Sequence, residues 1–383
     1  MNGYPHQNID ILMYLNYNNS MPIEHHNPIR LSKEGFTLDY NEFAAELSDA
    51  EYALGLLEGS QKKLQNSELL ISPLTAKEAA VSSKIEGTLS TVSDVFLHEA
   101  VGTTRHSDVA EVVNYRTAMQ FAIKELKSKQ SLSKHLIRSM HEILLRNTRH
   151  KGAIGTFRKG DVWIGKKIGD PIDKAIYIPP EAHFVDEYID DLLEYLKNGR
   201  ESTLVKAGIA HYQFEAVHPF EDGNGRIGRL MIPLVLHHNN RLSKPILYIS
   251  GYMEANRDEY IDILHSVDES GKMEPWLKFF FKSVAAQLRE TQELVSGIYT
   301  LYDSIKSRFD TSKSPYLVGF LDFIFKYPVF TVPMVLEETK ISSKLTAKRL
   351  IKTFIEKEYL VEMSERFHRA KVYRFNPLLD LLK

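Results

Sequence analysis

The chain has 383 residues, about twice the ordinary size of one domain, so two or three structural units are expected. With 43% hydrophobic residues, 26% charged residues and a net charge of −2, it has the makeup of a globular protein, neither a polycation built for nucleic acid nor an acidic solvating chain. It contains no cysteine, which excludes disulfides, thiolate zinc sites, iron–sulfur clusters and a cysteine nucleophile, and fits a reducing cytoplasm.

Residues 1–38 are rich in Asn, Pro, His and Tyr without clear periodicity and read as an arm laid over the body. The opening MNGYPHQNIDILMYLNYNNS has no basic stretch ahead of an apolar core, so no secretory leader is expected. No apolar run reaches the roughly 18 residues of a membrane span, so no membrane partner is expected either. From Asp39 to about residue 64, the residues Phe43, Ala44, Leu47, Ala53, Leu54 and Leu57 recur at helical spacing. Helical patterns follow at 75–85, 89–100 and about 108–128, then at 132–147, where Ser133 is placed to cap. The segment 151–180, KGAIGTFRKGDVWIGKKIGDPIDKAIYIPP, is dense in Gly and β-branched residues and predicts a hairpin with loops. Helical spacing resumes at 181–198 and 201–216, breaks at Val217-His218-Pro219, restarts near Asn224, and fills 273–305.

The last segment differs in kind. It reads as helices at 315–326, 332–338 and 342–358 followed by the strand-like runs YLVEM and KVYRF, the order of a winged helix-turn-helix. From residue 313 onward there are 13 Lys or Arg against 8 Asp or Glu, a local charge of +5. Lys344, Lys348, Arg349 and Lys352 fall on the recognition helix, and Arg366, Arg369, Lys371 and Arg374 on the wing, where basic residues contact phosphates. Glu356, Glu358, Glu362 and Glu365 interrupt that patch, so a homodimer or protein-docking role stands beside the DNA-binding one. The expected division is an arm over 1–38, an N-terminal helical region over 39–105, a core over 106–310 and a winged-helix domain over 311–383.

The densest chemistry lies in HPFEDGNGRIGR, residues 218–229. Pro219 lacks an N–H and disfavours helix at His218, so the preceding helix ends there. Gly223 and Gly225 permit unusual backbone angles and close approach of a ligand. Asn224 stands near the start of a buried helix, whose free N–H groups form an anion site. Arg226 and Arg229, three apart, fall on neighbouring positions of its first turn. Asp222 is a hard oxygen ligand suited to Mg²⁺ shared with phosphates. His218 is the nearby side chain that takes up a proton near neutral pH. Each alone is an ordinary turn, loop or solvated-face residue. Together they supply a base, a metal ligand, a backbone cradle and a cationic clamp for attack of a hydroxyl on a phosphoanhydride.

This segment resembles the signature of the Fic family, His-Pro-Phe-x-Asp-Gly-Asn-Gly-Arg-x-x-Arg, at every fixed position. MHEILLRNTRHKGAIGTFRK with YIPP is similar to the family's helix and flap hairpin, HYQFEAVHPF to its lead-in helix, and the tail to the winged-helix appendage of one bacterial subgroup. The resemblance implies a mainly α fold, a Fic-type helical core with a small β-hairpin flap, and transfer of AMP from ATP to a Tyr, Thr or Ser hydroxyl of a target protein. It implies His218 as base, Asp222 on Mg²⁺, and Gly223, Asn224, Gly225 and Arg226 around the phosphates. It further implies Arg229 on the γ-phosphate, Asn256 near the adenine, and a flap around Gly155, Thr156, Phe157 and Arg158 that pins the target in extended form. Transfer of UMP, phosphate or phosphocholine, and a nucleotide-sensing transcription regulator, remain open alternatives.

A second segment, Ser82-Ser83-Lys84-Ile85-Glu86-Gly87, places Ser82 and Glu86 on one helix face and a glycine at the helix end. In an arbitrary protein this is a solvated glutamate. In a Fic-like chain it is similar to the inhibitory helix, whose carboxylate would occupy Arg229 and misplace the phosphates of ATP. An alternative role for Glu86 is to align water for removing AMP from the modified hydroxyl.

Overall fold

A computed structural model describes residues 24–32, 37–62, 68–102, 108–129, 131–150, 152–165, 171–309, 315–364 and 371–383. Its centre is a pair of helices, α7 (Thr203–Val217) and α8 (Asn224–His238), which pack along each other and are buried almost all round. Helices that are apolar on every side belong in the middle of a protein, and these two hold the motif of residues 218–229 between them.

Around the pair stand α4 (Val109–Lys129), α5 (Lys134–Leu145), α6 (Val185–Asn198) and the long α11 (Glu274–Ser307). Ser133 caps α5 as expected, its hydroxyl accepting from the Leu136 N–H at 3.2 Å. The helix α1 (Ala44–Lys62) lies along α11 through Phe43, Ala50, Ala53, Leu54 and Leu57. The helix α2 (Glu68–Ile85) runs between α4 and the short α9 (Ser250–Ala255), and α3 (Val92–Val101) follows it behind a reciprocal Thr91–Asp94 capping box. The helix α10 (Arg257–Ser270) leads into α11, and neither α9 nor α10 was anticipated from spacing.

A two-stranded hairpin, β1 (Ile164–Gly165) with β2 (Ala175–Tyr177), lies inside the segment expected to hold one. Residues 155–158 form no strand. Residues 24–32 lie over β2 and α6: the His26 N–H donates to the Ile178 carbonyl at 2.9 Å, and the Arg30 guanidinium covers the Tyr188 ring at 3.6 Å. The expected arm over 1–38 otherwise falls mostly outside the described residues, as do Arg366 and Arg369.

The C-terminal part contains α12 (Leu317–Lys326), β3 (Val329–Thr331), α13 (Val332–Glu338), α14 (Lys344–Glu356), β4 (Val361–Glu362), β5 (Val372–Arg374) and α15 (Asn376–Leu381), with strand order β3-β5-β4. Three residues carry too little periodicity to announce β3; its pairing with β5, far along the chain, makes it a strand. This part packs on α2 through α12 and on α3 through β3. No described helix is long and apolar enough to cross a membrane.

Candidate active site

The loop joining α7 to α8 is fixed by its own sequence. His218 takes a left-handed conformation, φ 48°, and its N–H closes α7 on the Phe214 carbonyl at 3.0 Å. The Asn224 amide spans the turn, accepting from the Phe220 N–H and donating to the Phe220 carbonyl, both at 2.9 Å. Gly223, φ 79°, supplies the positive angle at the start of α8. The first helical bond runs from the Ile227 N–H to the Gly223 carbonyl, leaving the preceding N–H groups of α8 as an anion-accepting first turn.

His218 is buried, and its Nδ1 lies 3.3 Å from the Glu215 carbonyl. A carbonyl only accepts, so Nδ1 carries the hydrogen and Nε2 keeps its lone pair. Burial, with the Arg158 guanidinium nearby, pulls the His218 pKa down to about 4, so the ring is neutral at pH 7. His141 buttresses the loop from α5. Its ring stacks on Phe220 with centroids 3.7 Å apart, Nδ1 accepts from the Gly155 N–H at 2.9 Å, and Nε2 donates to the Asp222 carbonyl at 3.0 Å.

The two arginines diverge. Arg226 reaches Asp222 at 3.0 Å and Glu111 of α4. Burial raises the Asp222 carboxyl, but Arg226 and His150, the latter with Nδ1 at 3.4 Å, hold it below the usual carboxylate range. Arg229 instead turns to α2: Nη2 meets Glu86 Oε1 at 2.5 Å and the Ser82 carbonyl at 2.9 Å, and Nε donates to Ser82 Oγ at 2.8 Å. Gly87, φ 87°, ends that helix and lets Glu86 turn inward. A Cβ on Gly225 would stand 2.5 Å from Glu86 Oε1, so the carboxylate occupies the space that glycine leaves over the first turn of α8.

These groups open on a cavity lined by Glu86, Glu215, His218, Gly225 and Arg229, with Ile164 of β1 and Ile176 of β2 on its wall. The expected flap residues are placed differently. Phe157 and Arg158 are buried, and Arg158 is spent holding the loop, its Nε donating to the His218 carbonyl at 2.8 Å and Nη2 to the Pro180 carbonyl at 2.5 Å. Gly155 donates to His141, and Thr156 is exposed beside it. Arg158 is drawn inward by its several carbonyl acceptors, and the hairpin meets the cavity through Ile164, Ile176 and Tyr177. Asn256 caps the junction of α9 and α10, its amide donating to the Tyr252 carbonyl at 2.9 Å, and its neighbour Arg257 is the one that lines the cavity.

Glu215, one helical turn before His218, lines the same cavity without any motif to announce it. Its carboxyl is pushed up to about 8 by burial, with Arg229 opposing and Glu86 adding to the rise. Its position three residues before a candidate base was the signal that could have found it. Among the described residues no group of three His, Cys, Asp or Glu is arranged around a metal. Asp222 alone suits Mg²⁺, which binds through one or two carboxylates when phosphates complete its shell.

Residues 44–124 match the Fic/DOC family N-terminal model and residues 131–236 match the Fic/DOC family model. The chain is 29% identical over 212 residues to "Protein adenylyltransferase fic-1" of Caenorhabditis elegans, a match covering 54% of this chain and 37% of that protein. It is 30% identical over 209 residues to "Probable protein adenylyltransferase aq_aa38" of Aquifex aeolicus, covering 53% of this chain and 58% of the relative. The chain thus spans between about a third and three fifths of the length of these curated relatives. A Fic family protein from Desulfovibrio desulfuricans has the same fold, with a TM-score of 0.57 at 20% identity over 90% of this chain and 98% of that one.

Proposed function

Because the chain carries the N-terminal and core domains of the Fic/DOC family, we propose that it is a protein adenylyltransferase moving AMP from ATP to a Tyr, Thr or Ser hydroxyl, on other proteins and on itself. The observation that carries this reading is the juxtaposition of a neutral imidazole, a glycine-lined helix N-terminus and a buried arginine around one cavity. The hydroxyl oxygen attacks the α-phosphorus, its proton passes to His218 Nε2, the bond to the β-phosphate oxygen breaks, and pyrophosphate leaves. The first-turn N–H groups of α8 receive the phosphates, with Gly225 giving them room and Arg229 meeting the outermost one. Asp222 would hold Mg²⁺, which would supply neutralisation of phosphate charge there. Asn224 acts by bracing the loop, and Arg226 by fixing Asp222.

In this reading Glu86 is inhibitory: its carboxylate sits where an anion is wanted and engages the arginine meant for phosphate. A water-aligning role for Glu86 in removing AMP follows from the same position. The hairpin β1–β2 supplies the edge for an extended target segment, beside the cavity. The C-terminal part is read as a winged helix, and one observation favours a polyanionic partner there. Lys344, Lys348 and Arg349 of α14 are exposed, and none is in an ion pair among the described residues.

Intact-mass measurement after incubation with ATP and Mg²⁺, with the Glu86→Gly variant as substrate and catalyst, tests the reading. A gain of one AMP supports it; a gain of phosphate, UMP from UTP or phosphocholine from its nucleotide donor would transfer the mechanism to another group. If no nucleotide binds at all, the reading fails.

A further inference from the structure

Beside the buried apolar residues Leu70, Leu74, Ala76 and Ala79, α2 carries a polar stripe. Ser72, Thr75, Glu78, Ser82 and Glu86 recur at intervals of three and four, so they form one stripe down the helix. The first four are buried. Each is met by a group from a neighbouring helix. Arg116 of α4 donates through Nη2 to Ser72 Oγ at 2.7 Å and through Nε to Thr75 Oγ1 at 3.3 Å. Tyr115 donates to Glu78 Oε1 at 3.0 Å, where Ser250 of α9 also donates. Arg229 of α8 takes Ser82 and Glu86.

The far end of this stripe touches the C-terminal part. Ser72 Oγ donates at 2.5 Å to the carbonyl of Lys326, the last residue of α12. That carbonyl is one of those a helix end leaves without an internal partner, so α2 supplies the cap of α12. One hydroxyl thus joins Arg116, α2 and the C-terminal part. From Ser72 to Glu86 the helix spans about 21 Å at 1.5 Å per residue.

We infer that the C-terminal part controls the catalytic arginine through α2. Its hold on Ser72 keeps the helix seated, and whatever loosens that hold withdraws Glu86 from Arg229. This rests on the adenylyltransferase reading for its effect on activity, but not for the coupling itself. A seam built from hydrogen bonds is cut at one link with the loss of a specific partner, and each buried group left behind favours the unseated form. The two states are the last turn of α2 with Glu86 on Arg229, and the same turn released.

The test compares Ser72→Ala with Ser72→Thr in the full chain, each alone and with Glu86→Gly. Hydrogen exchange of the amides at 82–88 and AMP incorporation are read together. Loss of the hydroxyl is expected to lower protection at 82–88 by about 5-fold or more and to raise AMP transfer by a similar factor, with Ser72→Thr restoring both. In the Glu86→Gly background, Ser72→Ala should add nothing to activity, because the lock is already gone. Should Ser72→Ala fail to fold, Ser72→Cys, which keeps the size but donates only weakly to the Lys326 carbonyl, makes the same cut. Unchanged protection at 82–88, or an equal gain in activity on top of Glu86→Gly, would overturn the inference. If Glu86→Gly transfers no AMP, the enzymatic reading falls, while the exchange data still decide the coupling.

Discussion

Glu86 reaches Arg229 from the turn that ends α2: its Oε1 stands 2.5 Å from Nη2, over the first turn of α8. The pair is buried, with Arg229 about 1% and Glu86 about 10% exposed at the side chain. An ion pair this enclosed is strongly disfavoured to break without a substitute anion, because one charge would remain buried alone. A nucleotide phosphate is such a substitute. On the proposed function, Glu86 and a nucleotide phosphate would compete for this one guanidinium.

Replacing His218 by Ala removes the proton acceptor and leaves the anion site intact. AMP transfer by the Glu86→Gly background should fall by roughly 10²–10⁴-fold with nucleotide affinity little changed. Label transfer from α-labelled ATP and titration calorimetry check the two halves separately.

Gly225 and Glu86 separate breaking the lock from making the cradle. A Cβ at position 225 would lie 2.5 Å from Glu86 Oε1 and 2.9 Å from Arg229 Nη1. Gly225→Ala should therefore expel the carboxylate and also fill the space needed by phosphate. It is expected to weaken ATP binding by about 10-fold or more and to give no activation, unlike Glu86→Gly. Calorimetric titration of both variants with ATP distinguishes them.

Much of this arrangement is legible in the sequence because it is local. The twelve residues from His218 to Arg229 carry their turn, their glycines and their helix start with them, and Ser82 and Glu86 share a face through helical spacing alone. What stayed hidden depends on distant partners. Glu111 lies 115 residues before Arg226, the distant acceptors that draw Arg158 inward come from two separate segments, and β3 needs β5 to exist. Asn256, expected near the adenine, sits at the α9–α10 junction, where the following residue, Arg257, lines the cavity.

Stability should depend on pH with two opposing contributions. Burial raises Glu215 from 4.5 to about 8 and Glu78 from 4.5 to about 7, so the folded state holds protons there that the unfolded chain has lost, and stability falls as pH rises from about 4.5 through 8. Burial lowers His141 and His218 from 6.5 to about 4 and His211 to about 3, so their contribution rises with pH and is complete above about 6.5. Between pH 6.5 and 8 the carboxyls act alone. Glu215→Gln should therefore gain on the wild type across that window by at least about 1 kcal/mol, read by urea unfolding at both limits.

The exposed cations of α14 give a further expectation. Random duplex DNA should bind at low ionic strength and dissociate steeply as salt rises, with Lys348→Ala and Arg349→Ala each reducing the slope by about one. Absence of binding at low salt would assign this surface to protein contacts.

The most direct measurement is label transfer from α-labelled ATP by the wild type and by Glu86→Gly at equal concentration. Freeing Arg229 should raise incorporation by on the order of 10-fold or more, and His218→Ala should abolish the gain. Equal incorporation by the two proteins, or a gain that survives the loss of His218, would contradict the account.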